Sequence, residues 1–323
     1  MVQNVVQQHW AHTKAVLVRK QYELSASVYA KRNEAVSKIP NFWPLVIEQA
    51  PPEIDQYIQP QDSRILAENL VNFEVTRPEI ADESSRNPRS LHFRFTFKPN
   101  DDFEETSIEK TFWYRRAKDG WTGLVSEPVR IEWKKGKDIT EGLTDMSKAL
   151  FDARSKIGDM TAKGLPEYTA LSKKVEHWNG LNTSFFTWFG WVSGRRWVSA
   201  EESAQANEEY LAQRQQRKAG EKLQLPEEDA DNDSSEDDEA VEVHQNGEEL
   251  VISLAEDLWP NAIKLFTQAQ EMEEMSDDGF EEDDMAADSE DEDQPVDIRS
   301  LVQGKQRSSN GDAPPSKRAK TSK

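Results

Sequence analysis

The side chains in this sequence with the most chemistry to offer are carboxylates, and they are gathered rather than spread. Two runs, DADNDSSEDDE (229–239) and SDDGFEEDDMAADSEDED (276–293), are nearly continuous acid. Residues 227–293 hold 28 Asp and Glu against one Lys, whereas residues 1–226 hold 31 against 32 Lys and Arg. The formal net charge of −21 therefore belongs to one part of a chain whose body is close to neutral. Catalytic carboxylates need a fixed, partly desolvated setting that pulls their pKa values apart. These runs have too little apolar surface to build one. A flexible polyanion, by contrast, attracts Lys- and Arg-rich partners over roughly a Debye length and needs no fixed geometry. A solubilising tail and a binding arm for a polycation are equally compatible with the composition alone. Ser234, Ser235, Ser276 and Ser289 stand beside acids, a setting in which phosphorylation would deepen the charge.

Other chemistries find little support. GKDIT (136–140) has a trace of a phosphate loop, but that motif needs Gly five residues before its Gly-Lys pair and Ser or Thr directly after it. Ile131 and Asp138 occupy those positions. The absence of cysteine excludes disulfides and thiolate metal sites. His9 and His12 lie one helical turn apart and read as exposed helix histidines rather than half a metal site. No dinucleotide fingerprint occurs, and no Ser–His–Asp set has local support. No catalytic residue, cofactor or metal is expected, and the chain does not read as an enzyme.

The remaining charged feature is PPSKRAKTSK at the end, where Lys317, Arg318 and Lys320 fit a nuclear localisation signal. No apolar run is long enough to span a membrane, and MVQNVVQQHWAHTK lacks a signal-peptide centre. The expectation is a soluble nuclear protein, shuttling with the cytoplasm, with no membrane contact. The acidic field would repel nucleic acid, so direct binding to it is not expected.

These groups must be carried by something. Residues 1–38 read as one long helix: Leu17, Leu24, Val28 and Ala35 recur at heptad-like intervals, with Val18, Tyr22, Tyr29 and Val36 widening the stripe. Such a helix is about 50 Å long, longer than a small domain is wide. Its stripe, represented by Leu17, Tyr22, Leu24, Val28, Tyr29 and Val36, is therefore expected to pair with a second copy. Folding back on its own body is the alternative.

Residues 39–270 read as the body, with an acidic, disordered insertion at about 226–248. Strands are expected at 70–76, at SLHFRFTFKP, at SIEKTFWYRR and around Val129, Ile131 and Trp133, with a hairpin at Asp119-Gly120. Their period-2 alternation predicts an antiparallel meander with one apolar face. Helices near 140–158, 166–178, 182–190 and 199–219, and one with Leu254, Leu258, Ile263 and Phe266 on its face, would cover it. In SFFTWFGW (184–191), Phe185, Trp188 and Phe189 share a helical face suited to Phe93 and Phe95. Residues 271–323 read as a disordered tail, acidic and then basic. The fold class is α+β.

Four stretches, in this order, resemble one family: KIPNFW (38–43), IEWKKGKDIT (131–140), SFFTWF (184–189) and EDLWPNAIKLF (256–266). The chain resembles the nucleosome assembly protein superfamily, in its SET-like or fungal Vps-type branch. The short connection between residues 44 and 70 leaves no room for the accessory insertion of the larger branch. The resemblance implies a homodimer in which paired long helices carry two "earmuff" domains. It also implies binding of core histones, with the tetramer-forming pair as typical cargo, and no ATP cycle. On that reading Glu256 and Asp257 near the body, and Asp277, Asp278, Glu281, Glu282, Asp283 and Asp284 in the tail, are the expected histone contacts. A regulator or inhibitor of a histone acetyltransferase or phosphatase is the alternative. Arg195 and Arg196 in GWVSGRRWVS could meet such an enzyme or simply neutralise nearby carboxylates.

Overall fold

The fold comes from a computed structural model that describes residues 2–80, 87–177, 183–218 and 241–278. Helix α1 (Val2–Val36) leads, and Pro40 closes it. Short helices α2 (Phe42–Glu48), α3 (Pro52–Asp55) and α4 (Pro60–Asn69) follow. Then comes an antiparallel sheet in sequence order: β1 (Leu70–Thr76), β2 (Leu91–Phe97), β3 (Ser107–Arg116) and β4 (Thr122–Ser126). Helices α5 (Leu143–Ile157), α6 (Pro166–His177), α7 (Ala200–Lys218), α8 (Gly247–Ser253) and α9 (Ala262–Asp278) complete the described residues.

The meander appears as expected, with Phe73, Phe93, Phe95 and Phe112 fully buried on one face. Gly120 adopts φ +91° in the β3–β4 hairpin, a conformation that costs a residue with a side chain. The last strand does not fall where alternation put it. It ends at Ser126, and Val129, Ile131 and Trp133 lie beyond the sheet, where Phe103 and Trp133 form an isolated bridge. The cause is local. Pro128 has no N–H to give a ladder. On either side of it, Ser126 N donates to Val192 O (2.8 Å) and Val129 N to Phe189 O (2.7 Å). The chain leaves β3 to pair with the segment around SFFTWFGW.

That segment is the centre of the core. It forms a 3-10 helix (Phe185–Gly190) rather than the α-helix expected at 182–190. Ser184 and Thr187 explain the tight winding. Ser184 Oγ accepts from Phe186 N, while Thr187 gives both its N–H (3.0 Å) and its hydroxyl (2.8 Å) to Ser184 O. All six residues of the turn are buried, so every side of it is packed instead of one face. Edge-to-face ring contacts join it to the sheet: Trp188 to Phe93 at 5.3 Å, Phe189 and Phe185 to Phe95 at 5.6 and 5.9 Å. Each such pair adds about 0.5–1.5 kcal/mol beyond its burial.

Three buried polar groups fix the turn at both ends. At its start, Asp62 of α4 accepts from Ser184 Oγ (2.6 Å), Phe185 N (2.8 Å) and Gln59 N (2.9 Å). At its end, Lys110 of β3, 1 % exposed, donates all three ammonium hydrogens to carbonyls: Trp191 O (2.8 Å), Phe189 O (2.9 Å) and Glu127 O (3.0 Å). Between them His244 Nδ1 lies 2.9 Å from Thr187 Oγ1. Burial drives the Lys110 ammonium well below its ordinary pKa and, with Lys110 nearby, lowers His244 to about 3. Burial also raises Asp62 to about 6, against its three donors.

These two shifts have opposite consequences for stability. His244 is protonated in the unfolded chain below about pH 6.5 but stays neutral in the fold down to about 3, so acidification through that window costs stability. Asp62 takes up its proton in the fold at about 6 and in the unfolded chain only near 4, so stability rises as pH falls through that window. Urea midpoints taken between pH 4 and 6 are expected to fall more steeply with acidification in Asp62→Asn than in the wild type. In His244→Leu they are expected to fall less or to rise. Each proton is worth about 1.4 kcal/mol per pH unit. Parallel curves for all three proteins would contradict these assignments.

Candidate functional site

The stripe on α1 divides into two faces. Leu17, Leu24 and Val28 are 60, 68 and 62 % exposed, and with Lys14, Gln21, Lys31 and Ala35 they form an outer row at intervals of three and four residues. One position round the helix, about 100° away, Val18, Tyr22, Tyr29 and Val36 turn inward and are partly or fully buried. Tyr29 lies 4.2 Å ring to ring from Trp259, and Val36 is in the main core. Tyr29 and Val36, expected in the pairing surface, both lie on this inward stripe. Tyr22 is half-buried on the same inward side.

Arginines bind that inner face to the body. Arg32, 7 % exposed, places its guanidinium 4.7 Å from the Tyr29 ring and 4.2 Å from the Trp259 ring and donates to Trp259 O. Burial lowers its pKa to about 10, so it remains a cation. Arg19 donates to Ile80 O (2.7 Å) and Asn33 to Glu74 (3.2 Å).

Trp259 follows a five-residue π-helix, Leu254–Leu258, closed by Trp259 N to Leu254 O at 3.1 Å. Pro260 cannot continue the ladder, and Asn261 covers Asp257 O with its side-chain amide (2.8 Å). The extra residue in the turn turns Leu254, Ala255 and Leu258 inward and leaves Glu256 and Asp257 exposed. It also shifts the phase of α9, so that Ala262 and Ala269 are buried, Phe266 packs on Phe42 at 4.8 Å, and Ile263 is 56 % exposed instead of facing the core.

The expected contact residues are thus divided. Glu256 and Asp257 lie together in the π-turn, with Glu256 3.6 Å from Arg77. Asp277 and Asp278 end α9, eight residues into what the sequence assigned to the tail. At 1.5 Å per residue that is about 25 Å along the helix from its start. Glu281, Glu282, Asp283 and Asp284, and likewise Lys317, Arg318 and Lys320, lie outside the described residues. Helix α9 has no basic residue in its last turn, so its acids add to the negative end of the helix dipole. Arg195 and Arg196 face Asp119 (3.4 and 3.9 Å), and Arg196 also meets Glu202 (3.1 Å). Among the described residues no group of three His, Asp or Glu could hold a metal, and no helix is long and apolar enough to cross a membrane.

The model of the nucleosome assembly protein (NAP) family matches residues 3–269, from the first turn of α1 into α9. The chain belongs to the NAP family. The Schizosaccharomyces pombe protein C36B7.08c, itself named for nucleosome assembly, is 28 % identical over 283 residues, covering 84 % of this chain and 80 % of that one. NAP1-related protein 2 of Arabidopsis thaliana is 29 % identical over half of each chain. Among solved structures, Ccp1 matches 83 % of this chain and 93 % of its own at 24 % identity and a TM-score of 0.48. Vps75 matches 83 and 96 % at 18 % identity and a TM-score of 0.49. The long helix joined to a helix-covered antiparallel sheet is the NAP-like arrangement that the four motifs implied.

In this NAP fold the polar groups that sequence reasoning passed over are Lys110, Asp62, Arg32 and His244. Lys110 alone was signalled, as the inward position between Ile108 and Phe112 in the alternation of β3. The others are buried by contacts distant in sequence. The exposure of Glu256 and Asp257 leads to an expectation: Glu256→Gln with Asp257→Asn lowers folding stability by less than about 1 kcal/mol. Urea denaturation checks it, and a larger loss would mean that the pair is structural.

Proposed function

We propose that this NAP-family protein is an ATP-independent histone chaperone, a homodimer that binds core histones through carboxylates displayed beside and beyond a rigid body. The observation that carries the reading is the separation of acid from core. The π-turn presents Glu256 and Asp257 at the surface, and α9 runs from that turn directly into the acidic segment. Histones are dense in Lys and Arg. Body carboxylates offer a fixed contact, and the acidic segment offers attraction over roughly a Debye length. Neutralising the histone suppresses non-specific contact with DNA, whose phosphates then compete as a denser polyanion at the final site. Exchange between two polyanions needs no nucleotide. The four-motif resemblance favours the tetramer-forming histone pair as cargo, and the basic cluster PPSKRAKTSK supports nuclear entry through Lys317, Arg318 and Lys320. Pairing through the outer row, Leu17, Leu24, Val28 and Ala35, would cover side chains that otherwise face water.

Two experiments test this. Deleting residues 279–293 removes nine carboxylates while leaving α9 whole. At 0.15 M salt it is expected to weaken histone affinity by about tenfold and to flatten its salt dependence, as measured by fluorescence titration. Unchanged affinity would confine binding to the folded body. Leu24→Glu with Val28→Glu is expected to yield monomers by light scattering, because a desolvated carboxylate pair in the seam costs several kcal/mol. A persistent dimer would remove α1 as the pairing element.

A further inference from the structure

The joint between α1 and the body is far less well satisfied than the core. In the core, Lys110 spends every hydrogen of its ammonium group. At the joint, four buried polar atoms meet no partner: Arg32 Nε and Nη2, Asn33 Oδ1 and Trp259 Nε1. Arg32 is a cation boxed in by the rings of Tyr29, Trp259 and, at 6.0 Å, Trp43. Its guanidinium donates to Trp259 O, and no carboxylate among the described residues pairs with it. The ring faces offset part of the cost of burying the charge. The unspent donors restore the rest, because a buried donor without an acceptor loses its hydration for nothing. These atoms are shut off from solvent, so a second chain laid along the outer row of α1 does not reach them.

The covalent link at this joint is slight. Residues 37–40 are exposed, and Asn41 after them takes φ +55°, a conformation that asparagine tolerates. Val36, directly before the exposed turn, is anchored in the main core and makes a pivot. One helical turn further from the pivot stand Arg32 and Asn33. Two of the remaining ties are hydrogen bonds, Arg19 to Ile80 O and Asn33 to Glu74, which water replaces at small net cost. Swinging α1 away would break the ring contacts of Tyr29 and Arg32 with Trp259. In return it would hydrate the guanidinium, Asn33 Oδ1 and Trp259 Nε1. Loss and gain oppose each other, so the two arrangements lie close in free energy.

We propose that Arg32 is a releasable latch, and that the body turns relative to α1 about residues 37–41. The joint is closed when the guanidinium sits among Tyr29, Trp43 and Trp259, and open when the guanidinium returns to water. In a pair of chains joined through α1, this turning sets the distance between the Glu256 and Asp257 pairs of the two bodies and fits the space between them to the cargo. That use rests on the chaperone reading; the motion does not.

The absence of native cysteine permits a direct test in the full-length protein. Spin labels are attached through Ser27→Cys on α1 and Ala170→Cys on α6, both exposed, and the labelled chain is mixed with an excess of unlabelled chain. Label-to-label distances in frozen solution are expected to spread over two populations. Arg32→Met removes the buried cation and leaves an adaptable apolar side chain in the box. It is expected to leave one narrow population and to raise the urea midpoint by about 0.5 M, because exchanging a poorly compensated buried charge for apolar packing is stabilising. A lowered midpoint would make Arg32 a structural tie and overturn the latch. One narrow population in the chain that keeps Arg32 would overturn it as well, and that measurement does not depend on how the variant folds. No histone is present, so a failure here is separate from a failure of histone binding.

Discussion

A single ammonium group buried beneath three carbonyls holds this body together. Lys110 sits on the apolar face of the sheet, where an unpaired charge would cost several kcal/mol. It is tolerated because the carbonyls of Glu127, Phe189 and Trp191 use all three of its hydrogens. The same contacts supply partners to the end of the 3-10 helix and to the chain leaving β4. The aromatic turn, the sheet and the chain between them are thereby fixed in one arrangement, where ring packing alone would permit several.

That rigidity matters for the carboxylates that the body itself carries. Their geometry comes from the body. The clamp of Tyr29, Arg32 and Trp259 joins α1 to the π-turn, and the π-turn aims Glu256 and Asp257 outward. A π-turn inserts one residue without unfolding the helix. Here the insertion keeps Leu254, Ala255 and Leu258 buried on one side while two neighbouring acids stay in water.

Period-2 alternation located β1, β2 and β3 because each strand has one wet face and one dry face. It failed for residues 129–133, where Pro128 and two hydrogen bonds to the aromatic segment took the chain out of the sheet. Periodicity found α1 but merged its two stripes, since residues such as Leu17 and Val18 are equally apolar and differ only in what lies opposite them. Phe185, Trp188 and Phe189 were rightly placed against Phe93 and Phe95, although the turn that carries them is tighter than an α-helix.

By itself the sequence determined the class of fold, the order of the elements, the family through its four motifs, and the segregation of acid from core. These depend on composition and short-range spacing, which are complete in the linear chain. Only the tertiary structure decided which face of α1 is outward, where β4 ends, how Lys110, Asp62 and His244 are satisfied, and that Glu256 and Asp257 stand apart from the end of α9. Each of these depends on a partner distant in sequence. Lys110 meets Trp191 across 81 residues and Arg32 meets Trp259 across 227, and no local pattern encodes which groups will meet once the chain has closed on itself.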